Sequence, residues 1–239
     1  LCRFSTNEND EIMSLSSYLE KMPENQKDIY YISAETRSQA LASPHLEGFK
    51  SKNIPVLIMT DAIDQFWLPM IGSFKDKKFT SITQGQINLD DLDEKNKDKK
   101  SENKDQKEKQ GKEFVDLIAQ MKVVLGEQVK DIRLSSNLTD SPVCLVADDG
   151  DMDIAMEQLM AQRDTNYKGA PRILEINGDH SLIKNMKSLL SKKENNDLVS
   201  DAGTLLFEQA RLLEGKMPAD PAQFSKIMNQ FLLKAIPTQ

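Results

Sequence analysis

The sequence predicts a mixed α+β / α/β protein: a small α/β/α layer, then a mixed α/β domain ending in a helical bundle. Three observations predict it. Two apolar, β-rich runs, residues 28–32 and 54–59, are separated by helical patterns. A charged stretch, residues 90–113, interrupts the chain with nine acids, eight lysines and a single large aliphatic residue, Leu92. The last segment carries Phe224, Ile227, Met228, Phe231, Leu232 and Ala235 at i, i+3, i+4, i+7, i+8 and i+11, one apolar helical stripe.

Each element has its own signal. Asp28-Ile29-Tyr30-Tyr31-Ile32 is aromatic and branched, as strands are. Residues 36–42 read as a short helix. Ser43-Pro44 restarts a helix to about Lys52, with serine as cap and proline at the first position. Ile54 to Met59 is nearly continuous in apolar residues, the mark of a strand covered on both faces. Asp61 is placed to cap a helix over 62–71, and 79–83 reads as a further strand. Strand, helix and strand in alternation give an α/β layer over 1–89. The run 90–113 is a charged connector, and 114–239 forms the second domain. There, 114–125 is helical and Gly126 stops it. Residues 129–134 and 143–146 read as paired strands around an Asp140-Ser141-Pro142 turn signal. A methionine-rich helix follows from about 151 with Asp151 as cap, then a strand at 172–176. Helices near 181–190, capped by Asn177 or Asp179, 197–213 and 221–236 complete the chain, the last starting at Asp220-Pro221.

Composition narrows the function. A net charge of −7 argues against nucleic acid as the main partner, because phosphate binding needs a basic face. No apolar run reaches the roughly 20 residues of a membrane span. Cys144, in Val-Cys-Leu-Val, reads as a small buried hydrophobe, and two cysteines suit a reducing compartment. Starting at Leu1 rather than methionine, the chain reads as a piece of a longer protein.

No catalytic constellation emerges. His45 and His180 are far apart, no Cys/His cluster has metal spacing, and no glycine-rich phosphate loop is present. Asp148-Asp149-Gly150-Asp151-Met152-Asp153 superficially resembles a calcium loop. The glycine comes too early, however, and Leu159 stands where the bidentate glutamate is needed. Acids at a helix start, favoured by its dipole, explain the run better. The sole tryptophan, Trp67, adjoins Phe66. Adjacent helical residues cannot both face inward, so at least one is partly exposed. Met152, Met156, Leu159 and Met160 share a narrow stripe that suits either core or an adaptable binding face.

Four stretches, "SLSSYLEKMPENQKDIYYI" (Ser14–Ile32), "SPHLEGFKSKNIPVLIMTDAID" (Ser43–Asp64), "VKDIRLSSNLTDSPVCLV" (Val129–Val146) and "RILEINGDHSLIK" (Arg172–Lys184), resemble the ninety-kilodalton heat-shock protein family. The likeness is greatest to its bacterial branch, the high-temperature protein G type. It covers essentially the whole chain in the right order. One departure is Gly178, where the family commonly has proline, and the charged connector matches poorly.

The resemblance implies the carboxy-terminal part of a cytoplasmic, ATP-dependent chaperone. Residues 1–89 would end its middle domain, and 114–239 would be its dimerisation domain. It implies a homodimer in which the last two helices of each chain pair, burying Leu205, Leu206, Phe224, Ile227, Met228, Phe231 and Leu232. It implies non-native client proteins as partners, contacting Phe66, Trp67, Met70, Met152, Met156, Leu159 and Met160, with Met152 and Met156 exposed. ATP and magnesium would bind only the longer parent, leaving this piece without a cofactor, a metal or a catalytic residue. The chain ends Ala235-Ile236-Pro237-Thr238-Gln239, without the acidic tail of the eukaryotic cytosolic form, so tail-reading helpers are not expected. Two other readings remain: a pure dimerisation module with clients bound elsewhere, and, remotely, an enzyme with an interdomain active site.

Overall fold

The computed structural model describes residues 3–89, 111–164, 167, 169–191 and 195–236. The charged connector falls almost wholly outside them. Two compact units form. The first gathers the chain up to the connector together with residues 136–140 and 146–170, and the second holds the rest. The methionine-rich segment, expected with the second domain, thus clusters with the first unit.

In the first unit, β1 (Arg3–Thr6), β2 (Met13–Ser14), β3 (Ile29–Ser33), β4 (Leu57–Met59), β5 (Ser73–Phe74) and β6 (Lys77–Ser81) make one sheet in the order β2-β1-β4-β3-β6-β5. β3 runs parallel to both β4 and β6, and β1 adds antiparallel to β4. Successive residues of β3 point to opposite faces, and both faces are covered. Tyr30 and Ile32 meet Ala40 of α2 (Arg37–Leu41) and Phe49 of α3 (Glu47–Ser51). Ile29 and Tyr31 meet Tyr18 of α1 (Leu15–Lys21) and Leu68 of α4 (Asp64–Ile71). Tyr18 Oη donates to the Pro55 carbonyl at 2.7 Å, and burial pushes its phenol well above the usual range. The cap at Ser43 forms as the sequence predicts, and Thr36, read as part of the short helix, instead caps it by accepting from Gln39 N. Asp61 does not cap α4 through its side chain; the helix begins after Ile63, and the Asp61 carbonyl accepts from Asp64 N.

The second unit is built on β7 (Val129–Leu134), β8 (Val143–Val146) and β9 (Arg172–Ile176), in the order β7-β9-β8. The expected direct pairing of β7 with β8 is therefore wrong. β9, buried at every residue, takes the centre and runs parallel to β7. The reason is chemical: Arg-Ile-Leu-Glu-Ile needs two covered faces, and its one acid is satisfied from β7 and the residue after it. Arg133 Nε donates to Glu175 Oε1 at 2.9 Å and Ser135 Oγ to Oε2 at 2.7 Å. Helix α5 (Val115–Leu125), stopped at Gly126 with φ +53, packs Leu117, Met121 and Leu125 into the core. α7 (Ser181–Leu189), α8 (Asn196–Leu213) and α9 (Pro221–Ala235) complete the unit. α7 is capped by His180, whose Nδ1 accepts from Leu182 N at 3.1 Å; neither Asn177 nor Asp179 takes that role.

Candidate functional site

Three surfaces carry the residues singled out in the sequence. The first is α4. Trp67, expected on a client-contacting face, is largely built into the unit. Its ring lies between Phe4, stacked at 6.0 Å, and Phe79, edge-on at 5.7 Å. Its Nε1 donates to Asp64 Oδ1 at 2.7 Å. Burial raises the Asp64 carboxyl above its usual range, only partly opposed by that indole hydrogen bond. What α4 turns outward is Ile63, Phe66, Met70 (85% exposed) and Ile71. Ile63, Phe66 and Met70 stand at i, i+3 and i+7, so they form one ridge. Ile63 and Ile71 escaped the sequence reading although the same spacing contains them. Pro69 sits inside the helix, also exposed.

The second surface is the methionine-rich helix, α6 (Ile154–Arg163). Its cap is Asp153, not Asp151: the Asp153 carboxylate accepts from Ala155 N at 2.9 Å. It also accepts from Ser81 Oγ at 2.5 Å and Thr83 Oγ1 at 2.8 Å, both buried at the end of β6. Gln84 Nε2 adds a bond to the Asp151 carbonyl at 2.7 Å. These bonds seat α6 on the first unit with Ile154 and Glu157 buried. Met152 is 40% exposed, whereas Met156, Leu159 and Met160 are half-buried. The open methionine face that the resemblance implied, with Met152 and Met156 exposed, therefore narrows to Met152. The stripe looked one-sided because spacing shows which residues share a line, not which neighbour covers it.

The third surface is the α8–α9 hairpin. Asp220 caps α9 by accepting from Ala222 N and Gln223 N, and Pro221 is its first residue. The return between the helices is fixed by Glu208, buried on α8. Its two carboxylate oxygens accept from Ala219 N at 3.1 and 3.2 Å, and Arg211 pairs with it at 3.2 Å. Of the residues expected to be covered by a second copy, Leu206 and Ile227 are buried in this unit's own packing and offer no free face. That is a correction: Leu206 packs with Phe207 and Ala210 in the unit's core. Leu205, Phe224 and Phe231 are half-buried, Phe231 against that same core. Met228 and Leu232 are exposed, and Leu233, missed because it lies off the stripe, is 75% exposed. Leu212 and Leu213 at the end of α8 and Met217 in the turn are exposed as well.

Among the described residues no group of three or more metal-type side chains converges, and no helix is long and apolar enough to cross a membrane. Cys144 is buried, as its apolar neighbours in the sequence suggest.

Fold and surfaces together define a class: a two-unit α/β protein whose prominent exposed features are apolar faces on helices. The chain belongs to the Hsp90 protein family, whose model matches residues 1–239. It is similar to Chaperone protein HtpG of Roseobacter denitrificans, 40% identical over 238 residues, covering 99% of this chain and 38% of that protein. The HtpG chaperones of Streptomyces coelicolor (37% identity; 95% of this chain, 35% of the relative) and Mycobacterium avium (36%; 99% and 36%) are similar too. The chain thus spans little more than a third of the length of these relatives.

Proposed function

We propose that this chain is the dimerisation and client-binding portion of a cytoplasmic, ATP-dependent molecular chaperone. The observation that carries the reading is that each unit turns large apolar helical side chains to solvent. On the first unit they are Ile63, Phe66, Met70 and Ile71 of α4. On the second they are Met228, Leu232 and Leu233 of α9 with Leu212 and Leu213 of α8. Large apolar side chains exposed at helical spacing mark a candidate interaction surface. The two ridges differ in a way that suits two tasks. The α8–α9 ridge sits on two long, rigidly joined helices, the geometry in which a two-fold copy builds a four-helix interface. Each large side chain covered there contributes about 1.5–3 kcal/mol. The α4 ridge ends in an unbranched methionine beside a proline, a face that adapts to irregular chains.

In this reading residues 1–89 close the parent's middle domain and 114–239 form its dimerisation domain. The ATP and magnesium implied by the family lie in the part of the parent beyond this chain, and this portion works by binding without covalent chemistry. Fluorescence anisotropy of a labelled, reduced and carboxymethylated model protein tests it. The chain binds that unfolded probe, and Met70→Glu, an exposed substitution, weakens binding about tenfold or more. Undiminished binding by Met70→Glu would show that α4 is not the client face. Binding by neither form would leave the pure dimerisation module as the function.

A further inference from the structure

The first unit contains a cavity of about 270 Å³ that neither ridge uses. Its position follows from the sheet. After β3 the chain turns to the face covered by α2 and α3; after β4 it turns to the face covered by α4. Adjacent parallel strands whose chains leave toward opposite faces open a crevice at their carboxyl ends, the usual place for ligands in such sheets. The floor here is Ser33 and Met59, held together by Ala34 N donating to the Met59 carbonyl at 3.1 Å. Helix α6 forms the roof with Ala155, Gln158, Leu159 and Gln162, at i, i+3, i+4 and i+7. This is what Leu159 does in place of joining an open methionine face.

The lining has a definite chemical bias. Ser33 Oγ is buried without a hydrogen-bond partner. Gln65 is 8% exposed, lines the cavity and makes no side-chain hydrogen bond among the described residues. Polar groups so placed are ordinarily satisfied. Glu35 and Asp61, both exposed, are among the lining residues, and no basic residue lines the cavity. Carboxylates accept hydrogen bonds and attract positive charge; they repel phosphates and carboxylates. Met59, Ala62, Ala155 and Leu159 supply apolar wall between the polar groups.

We propose that this cavity is a binding site for a guanidinium or ammonium group on a short aliphatic stem. The cation sits between Glu35 and Asp61, the stem lies along Met59 and Leu159, and Ser33 and Gln65 receive its remaining polar contacts. Such a group comes either as a small free cation or as an arginine or lysine side chain of a polypeptide. The proposal requires neither a dimer nor a client on α4.

Isothermal titration calorimetry of the 239-residue chain with agmatine tests it, beside butylurea as a neutral analogue and inorganic phosphate as an anion. Agmatine binds, and both other probes bind at least tenfold more weakly or not at all. The Glu35→Gln/Asp61→Asn double variant, altered only at exposed positions, binds agmatine about tenfold more weakly. Gln65→Leu weakens it further, and Met70→Glu leaves it unchanged. A capped Gly-Gly-Arg-Gly-Gly peptide separates the sources: tighter binding than agmatine indicates a polypeptide side chain, weaker binding a free cation. Absence of agmatine binding at millimolar concentration, equal binding of butylurea or phosphate, or an unchanged double variant would each overturn the proposal.

Discussion

Trp67 Nε1 donates to Asp64 Oδ1 at 2.7 Å across one turn of α4, so the chain's only tryptophan is tied to a buried carboxylate. One turn of helix therefore holds two neighbours with opposite fates. Trp67 completes an aromatic cluster with Phe4 and Phe79, while Phe66 beside it faces out.

That pair makes the indole a reporter of Asp64. Burial raises the carboxyl, so its folded pKa lies above the ordinary value near 3.9. A raised acid favours the fold most when protonated. Its contribution is complete below the unfolded pKa and is lost as pH rises through the folded one. Tryptophan fluorescence of the folded chain accordingly shows a titration with a midpoint above that ordinary value, and Asp64→Asn abolishes it. A midpoint at or below the ordinary value would contradict the burial argument.

Asp153 gathers three hydrogen bonds from Ser81, Thr83 and Ala155, and it is what seats α6. Asp153→Ala removes the cap and the shared acceptor of two buried hydroxyls, which keep only the 2.9 Å bond between Ser81 Oγ and Thr83 Oγ1, a loss of about 1–3 kcal/mol. Hydrogen exchange shows where: amides of α6 exchange faster, while those of β9 in the other unit are unchanged.

Glu208 holds the turn between α8 and α9 through Ala219 N and Arg211. Glu208→Ala removes the acceptor that holds Ala219 N and the partner of Arg211, and costs about 0.5–1.5 kcal/mol in chemical denaturation. Glu208→Gln, which keeps one acceptor, costs less.

Leu206 and Leu232 lie on successive helices yet belong to different environments, one 3% exposed and the other 51%. Leu206→Ala lowers the stability of the chain by about 2–5 kcal/mol, the cost of emptying a core position. Leu232→Ala changes unfolding of the single chain by less than about 0.5 kcal/mol. Equal effects would erase the distinction between core and free ridge.

The fold was largely legible where local chemistry is strong. The β3, β4 and β9 runs, the Ser43 and Asp220 caps and the Gly126 stop are all visible as residues in order. β1, β2 and α1 were not: Arg-Phe-Ser-Thr has little strand character, and it becomes a strand because β4 offers an edge. Pairing order also escaped, since alternation fixes which face a residue takes but not which strand lies beside it. At the candidate surfaces the helices and stripes could be read, and the covering partners could not. Asp153 rather than Asp151 caps α6 because Ser81 and Thr83 wait on a strand some seventy residues earlier, a contact no local pattern contains.

Separate tasks for the α4 and α9 ridges are resolved by sedimentation velocity of the chain mixed with a labelled, permanently unfolded protein. The unaltered chain at micromolar concentration sediments as a two-chain species carrying label. Met70→Glu keeps the two-chain species and loses the label, and Leu232→Glu gives single chains that retain it. A single-chain species for the unaltered protein, or label retained undiminished by Met70→Glu, would contradict the account.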